Sequence, residues 1–527
     1  MVRTTRANCP SVSDERGKSL KSVLEYFEQT AARCGGRTAV DDGERCYSWQ
    51  ELREMAQRIA SSFVKQQDWR NKPVGIVMDK SVDAVAAFLG SMYAGAFYVL
   101  INPEYPNVRI EKILDTLGTD LLLIEAKYED KIRACGYQGS LMDIEEAKRS
   151  EVREEALAKV RHSAMDTDLL YGIFTSGSTG IPKCVVASHR AVSDFIGHFA
   201  ELFGFTEEDI IGNQAPLDFD VSVKDLYTAL FTGATLVLIP KHMFSMPPSL
   251  LDFLCEKHVT SLTWAVSALC IVTTLRGFEY RIPKEVRRVL FSGEVMPYKH
   301  LAAWREALPD AKFVNLYGPT EIICNCTYYR VTGEEAESAP LPIGAAFPNR
   351  RVFLLDETGH EVKEAGKPGE ICAAGTSLAS GYYNNPEATA KSFIQNPLNP
   401  YYPETIYRTG DIGCYNEAGI LCFMGRKDFQ IKRMGHRIEL EEIQLTLEKA
   451  EGVERVCCVY GEQEGKLVAF YAGAADKKEL RRAAREQMPG FMIPDTFLQM
   501  EQMPLTKNGK IDRAALWSRY KEEKKKR

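Results

Sequence analysis

Apolar positions along the chain keep changing period, and each change marks an element. Leu20 to Cys34 places them near helical spacing, whereas Ala39 to Tyr47 alternates as a hairpin does. Ser48, with Glu51 three residues on, has the form of a capping box and predicts a helix running to about Val64. A strand over Val74 to Met78, a helix over Val82 to Ala94 and a turn at Gly95 into a strand over Phe97 to Ile101 follow. The charged stretch from Asp143 to Arg161 predicts a surface helix, and Ala191 to Phe203 another helix. Strands and helices alternating on this scale predict an α/β chain with largely parallel sheets.

Between those two helices the pattern breaks. A short apolar run, Tyr171 to Phe174, leads into Thr175, Ser176, Gly177, Ser178, Thr179 and Gly180, followed by Pro182 and Lys183. Glycines let successive N–H groups turn toward one anion, hydroxyls add donors and lysine adds a compact positive charge, so the loop suits phosphate. It lacks the Walker A register, and a Ser/Gly surface turn has the same composition. Val289 to Glu294 and Phe313 to Glu321 each read as a strand ending in a glycine turn with a carboxylate after it, the strand ends where α/β folds bind ligands. In LDFDVSV, Leu217 to Val223, Asp218 and Asp220 alternate with apolar neighbours; a buried carboxylate there needs a cation, which an amino-group ligand supplies.

Leu341 to Arg426 is richer in glycine, proline and short alternating runs, which predicts a β-rich subdomain. A boundary follows at GRKDFQIKRMGHRIE, Gly425 to Glu439, and the remainder reads as a small α+β unit. The expected division is a polar leader (1–19), a core (20–427, with 341–426 the β-rich part), a mobile C-terminal domain (428–516) and a charged tail (517–527).

At 527 residues the chain is long enough for two or more domains. A net charge of -6 argues against an electrostatic nucleic-acid binder. The 14 cysteines show no CxxC spacing and read as small buried hydrophobes in a reducing compartment. No stretch approaches the roughly 20 uncharged apolar residues of a membrane span, and the N-terminus lacks an apolar h-region, so no membrane insertion and a cytoplasmic protein are expected.

TSGSTGIPK, NLYGPTE, YRTGD, GRKDFQIKRMGHRIE and PLTKNGKIDR, in that order, resemble the motifs of the adenylate-forming superfamily of acyl-CoA synthetases, luciferases and peptide-synthetase adenylation domains. With NQAPLDFDVSVKDLY and LFSGEVMP, and with no carrier domain after Leu516, the chain is most similar to free-standing D-alanine:D-alanyl-carrier-protein ligases, and next to nonribosomal peptide synthetase adenylation domains. The resemblance implies a large N-terminal domain of two βαβ-type sheets with a β-barrel-like subdomain, and a small mobile α+β C-terminal domain. It also implies a two-step reaction with ATP and Mg2+: an amino-acid carboxylate attacks the α-phosphate, then a phosphopantetheine thiol of a carrier protein takes the aminoacyl group from AMP.

By the same resemblance, Thr175, Ser176, Gly177, Ser178, Thr179, Gly180 and Lys183 cover the pyrophosphate, Glu321 holds Mg2+ and Thr320 bonds the α-phosphate. Gly293, Glu294 and Tyr317 surround the adenine, Asn315 and Gly318 belong to the same ATP site, Asp411 accepts the ribose hydroxyls and Arg426 assists. Lys510 bridges the substrate carboxylate and the α-phosphate; with Thr320 and Glu321 it forms the catalytic set. Asp428 matches the hinge, and Gly435, within Lys432 to Arg437, the thiol tunnel.

Asp220 matches the partner of the substrate α-ammonium, which favours an amino acid over a fatty acid. Val221, Lys224, Thr263, Leu290, Ser292, Leu316, Cys324 and Asn325 complete the expected pocket. Bulky Leu290 and Leu316 favour a small side chain, and D-alanine is the first expectation if Lys224 snorkels outward, the default for lysine. An inward Lys224 favours an acidic substrate such as glutamate; cysteine, another small apolar amino acid, and a non-catalytic nucleotide-binding relative are the alternatives. Cys184, where glycine is usual after PK, and Ser292, where the ligases have cysteine, are departures from the family pattern.

Overall fold

The computed structural model describes residues 22–177, 180–335, 340–462, 464–505 and 511–525. The expected leader (1–19), Ser178, Thr179 and Lys510 lie outside the described residues.

Two sheets organise the first part of the chain. The nine-stranded sheet runs in the order Ala345–Ala346, Thr327–Arg330, Lys312–Tyr317, Arg288–Ser292, Ser261–Ala265, Ile210–Asn213, Thr235–Leu238, Thr38–Asp41 and Cys46–Ser48. Its central strands are parallel and its edge pairs antiparallel. The seven-stranded sheet runs Gly381–Tyr382, Lys183–Ser188, Leu169–Thr175, Phe97–Leu100, Pro73–Val77, Leu121–Ile124 and Ser140–Asp143. Its inner strands, such as PVGIV and LLLI, are buried throughout, as both faces of a parallel sheet covered by helices require. Helices His189–Phe203 and Val221–Thr232 contribute Phe195, Phe199 and Tyr227 to one core that also takes Ile76 and Tyr171 from one sheet and Leu290 and Val314 from the other.

Residues 350–426 build a third, antiparallel sheet around strands Gly369–Gly375 and Thr405–Tyr415. Two of their neighbours tie it to the parallel sheets, Ala345–Ala346 to one and Gly381–Tyr382 to the other. Beyond Arg426 come a hairpin, Gln430–Arg433 with His436–Glu439, and a three-stranded sheet, Val453–Gly461, Lys466–Gly473 and Thr496–Gln499, packed with helices Leu440–Leu447, Lys477–Gln487 and Arg513–Lys525.

Most local expectations hold, including the reciprocal Ser48–Glu51 capping box of helix Trp49–Phe63. Asp220 of LDFDVSV stands at the N-terminus of a helix. Two expectations need correction. The segment 143–161 is two helices, Ile144–Ala147 and Glu154–Ser163, because the backbone N–H of Arg153 is drawn off to Ser61 Oγ at 3.0 Å. The expected tail from 517 is helical to Lys525, with Trp517 and Tyr520 packed against the C-terminal sheet, since these aromatic rings gain more from burial than the charges lose. Among the described residues no helix is long and apolar enough to cross a membrane.

Candidate active site

Strand Leu169–Thr175 carries Thr175 and Ser176 to the rim of the cleft, and Lys183 returns opposite Thr175. The loop requires Gly177, because a Cβ there would lie 2.1 Å from the carbonyl oxygen of Ile181. Gly180 has φ +75° and donates to the Gly177 carbonyl at 2.9 Å. Lys183 sits 5.3 Å from the Tyr382 ring centroid, its pKa lowered by burial and by the nearby charge of Arg437. Cys184 is not part of the loop. It lies in the returning strand, buried over Gly172, and burial pushes its thiol up.

A second rim comes from strand Lys312–Tyr317 and the turn after it. Gly318 is needed because a Cβ would meet Asn325 Cα at 2.5 Å; Ile323 and Cys324 follow with φ of 51° and 67°. Left-handed backbone in a β-branched residue is strained, and here it turns the chain back so that Asn325 faces the cavity. Thr320 lines the cavity and Glu321 is fully buried. The Glu321 carboxylate accepts from the Tyr382 hydroxyl and from Arg437, each at 2.7 Å. Burial by itself would raise its pKa; the Arg437 charge and these two hydrogen bonds outweigh that and hold it down at about 2.

Asp411, on strand Thr405–Tyr415, accepts from the Tyr317 hydroxyl at 2.5 Å and from Arg426, which also pairs with Asp428 at 2.7 Å. Asn315 donates to the Pro342 carbonyl at 2.9 Å and lines the adjoining cleft with Gly293, Glu294 and Tyr317.

The C-terminal hairpin is docked into this site. Lys432 lies 5.9 Å from the Tyr317 ring centroid, and the Gly435 N–H donates to Glu294 at 3.0 Å. Ser176 donates to the Arg437 carbonyl at 2.8 Å. Glu442 accepts from the Gly177 N–H at 3.3 Å and pairs with buried Arg109 at 3.0 Å. His436 stacks on Phe491 with ring centroids 3.6 Å apart, and burial lowers its pKa to about 3, so it is neutral.

The remaining residues form a pocket at the inner end of the same cavity. Asp220, Val221, Lys224, Ser292, Cys324 and Asn325 line it. Thr263, Leu290 and Leu316 do not: the first two face each other on adjacent strands, fully buried, and Leu316 lines the adjoining cleft. The two aspartates of LDFDVSV part company. Asp218 accepts from the Tyr105 hydroxyl at 2.7 Å, and Asp220 faces the pocket while its carbonyl accepts from Cys324 Sγ at 2.9 Å. Lys224 does not snorkel outward. It is 1% exposed and donates to Asn325 Oδ1 at 2.8 Å, because the helix that carries it is buried between the two sheets.

Arg437, Tyr382, Glu442 and Arg109 have contacts here that residue patterns alone did not single out. A buried arginine opposite a buried glutamate from another domain leaves no mark in local spacing. Among the described residues no group of three or more His, Cys, Asp or Glu side chains forms a metal cluster. A single buried carboxylate does match the way Mg2+ is held, by one or two carboxylates with phosphate oxygens completing its shell, so Glu321 fits that ion once Arg437 has withdrawn.

Comparison with known proteins bears on this geometry. The AMP-binding enzyme family model matches residues 27–383. Tyrocidine synthase 1 of Brevibacillus parabrevis is 32% identical over 501 residues, 94% of this chain and 45% of that protein. Gramicidin S synthase 1 of Brevibacillus brevis is 32% identical over 508 residues, 94% of this chain and 44% of that protein. The chain thus spans less than half the length of these curated relatives. The structure of holo-PA1221, a nonribosomal peptide synthetase protein containing adenylation and PCP domains, is similar with a TM-score of 0.82 at 25% identity, covering 95% of this chain and 84% of that one. The Vibrio cholerae adenylation domain AlmE has a TM-score of 0.83 at 22% identity over 99% of each chain, a likeness of fold. Hydroxyl donors, carboxylates and lysines line one cavity, a set that an enzyme acting on a nucleotide can use, and the chain belongs to the AMP-binding enzyme family.

Proposed function

We propose that this protein activates an amino acid as its aminoacyl adenylate with ATP and passes the aminoacyl group to the phosphopantetheine thiol of a carrier protein. The observation that carries the reading is that Thr175, Ser176, Thr320, Asp411 and Asp220 line one cavity. Phosphate and ribose donors and acceptors thus lie beside a carboxylate suited to an α-ammonium. Thr175, Ser176 and Lys183 hold the pyrophosphate, Thr320 donates to the α-phosphate, Asp411 accepts the ribose hydroxyls and Asp220 fixes the amino group. Lys510 offsets repulsion between the substrate carboxylate and the α-phosphate. Glu321 holds Mg2+, which supplies charge neutralisation at the phosphates when bound.

The docked hairpin favours the second half-reaction. Arg437 occupies the carboxylate that the metal needs, and Gly435 sits at the adenine side of the cleft, beside Glu294. With ATP and Mg2+ bound the hairpin must withdraw; once pyrophosphate has left, Arg437 can return. The D-alanine reading loses support from the inward Lys224, because a methyl side chain offers that ammonium nothing.

Amino-acid-dependent ATP–pyrophosphate exchange, followed by thioester formation on a phosphopantetheinylated carrier domain, tests the reading. Exchange with at least one amino acid, and its loss in Lys510→Ala, is expected. ATP binding without exchange for any amino acid would overturn it.

A further inference from the structure

The pocket holds a cation that none of the roles above uses. The Lys224 ammonium has three protons to donate. Asn325 Oδ1 accepts one at 2.8 Å and Ser292 Oγ another at 3.3 Å, both neutral groups. Among the described residues Lys224 forms no ion pair with a carboxylate, and its side chain is almost wholly enclosed. A buried charge left in that condition is costly unless a counter-charge reaches it.

Two aspartates lie close in sequence, and neither forms an ion pair with Lys224. Asp220, four residues earlier on the same helix, is at a spacing where opposite charges usually pair, yet the two are not within ion-pair distance, which leaves Asp220 for the α-ammonium. Asp225 projects about 100° around the helix from Lys224. It accepts from Asn213 Nδ2 at 2.9 Å and forms no ion pair with Lys224; burial pushes its carboxyl up to about 7, against the pull of the Asn213 hydrogen bond and of the Lys224 and Lys80 charges, which it feels only at a distance.

We propose that Lys224 binds the side-chain carboxylate of the substrate, and that the protein activates an acidic amino acid. The inference rests on the amino-acid activation proposed above. The first turn of helix Val221–Thr232 then reads both ends of the substrate, Asp220 the α-ammonium and Lys224 the side chain. Ser292 and Asn325 hold the ammonium in place while leaving its third proton for the ligand. A neutral amide such as glutamine satisfies the proton and leaves the charge unpaired. An aliphatic side chain satisfies neither.

Pyrophosphate exchange with the purified chain separates these cases. The substrates are glutamate, aspartate, glutamine, asparagine, L-alanine, D-alanine and the other common amino acids, glutamate and aspartate as both enantiomers. An acid is expected to lead, with kcat/KM at least about tenfold above its own amide, since hydrogen bonds to charged groups contribute about 1.5–3 kcal/mol. Lys224→Met keeps the length of the stem and removes the charge, a change that buried sites often tolerate. It should lower kcat/KM for the acid about 100-fold, chiefly through KM, and improve neutral substrates relative to it, with an unchanged thermal midpoint reporting an intact fold. A neutral amino acid leading in the wild type would overturn the inference and leave amino-acid activation standing; this result is independent of any variant. An acid leading with no loss in Lys224→Met would overturn the role of Lys224. No exchange with any amino acid would overturn the activation reading and this inference with it.

Discussion

Asp220 and Gly318 show how single positions act on the site by different physics. Asp220 lines the pocket as a carboxylate facing a place for an ammonium, so Asp220→Ala should lower kcat/KM for the preferred amino acid about 10- to 100-fold in pyrophosphate exchange and leave ATP binding intact. Equal loss of ATP binding would assign the residue a structural role instead. Gly318 acts through space. A Cβ at 2.5 Å from Asn325 Cα forces the YGPTE turn away from the segment that holds Lys224. Gly318→Ala should therefore damage exchange far more than its one methyl group suggests, and a fully active variant would contradict that account.

At the scale of elements, the hairpin Gln430–Glu439 meets the N-terminal rim through the Glu321–Arg437 pair. Arg437→Ala should slow thioester transfer in single-turnover assays more than it slows adenylate formation, because the proposed adenylation would need Glu321 free. The same pair has a pH signature. The Glu321 carboxyl is held at about 2 when folded, against an ordinary value of 4.5, so the unfolded chain takes up the proton first as pH falls. Its stabilisation is complete above that ordinary value and is lost as pH falls toward about 2. The difference in thermal midpoint between wild type and Glu321→Gln should shrink across that window; a constant difference would count against the pair. In the C-terminal sheet, a Cβ on Gly461 would sit 1.8 Å from Trp517, so Gly461→Ala should destabilise that unit by about 1–3 kcal/mol in denaturant unfolding.

For the whole molecule the question is how a site split between two parts of the chain would complete the two proposed half-reactions. Asp428 lies in the bend between strand Leu421–Arg426 and the hairpin, with its carboxylate on Arg426. Proline there fixes φ and restricts a rotation that would carry the hairpin out of the site. Asp428→Pro should separate the half-reactions, sparing one and impairing the other in single-turnover assays. Equal effects on both would argue against a hinge at this residue.

The sequence by itself determined what depends on local chemistry. Helix and strand periods, the Ser48–Glu51 cap, the hydroxyl-rich loop and the ordered motifs were legible because each is written within a few neighbouring residues. Only the tertiary structure decided matters of direction and of long-range pairing. Lysine normally extends to solvent, but Lys224 points inward because both sheets enclose its helix. Leu290 looked like a pocket wall and lies buried outside the lining, since which face of a parallel strand meets a ligand depends on what packs over it. Arg437 meets Glu321 across 116 residues of sequence, and no local pattern encodes a contact between residues so far apart in the chain.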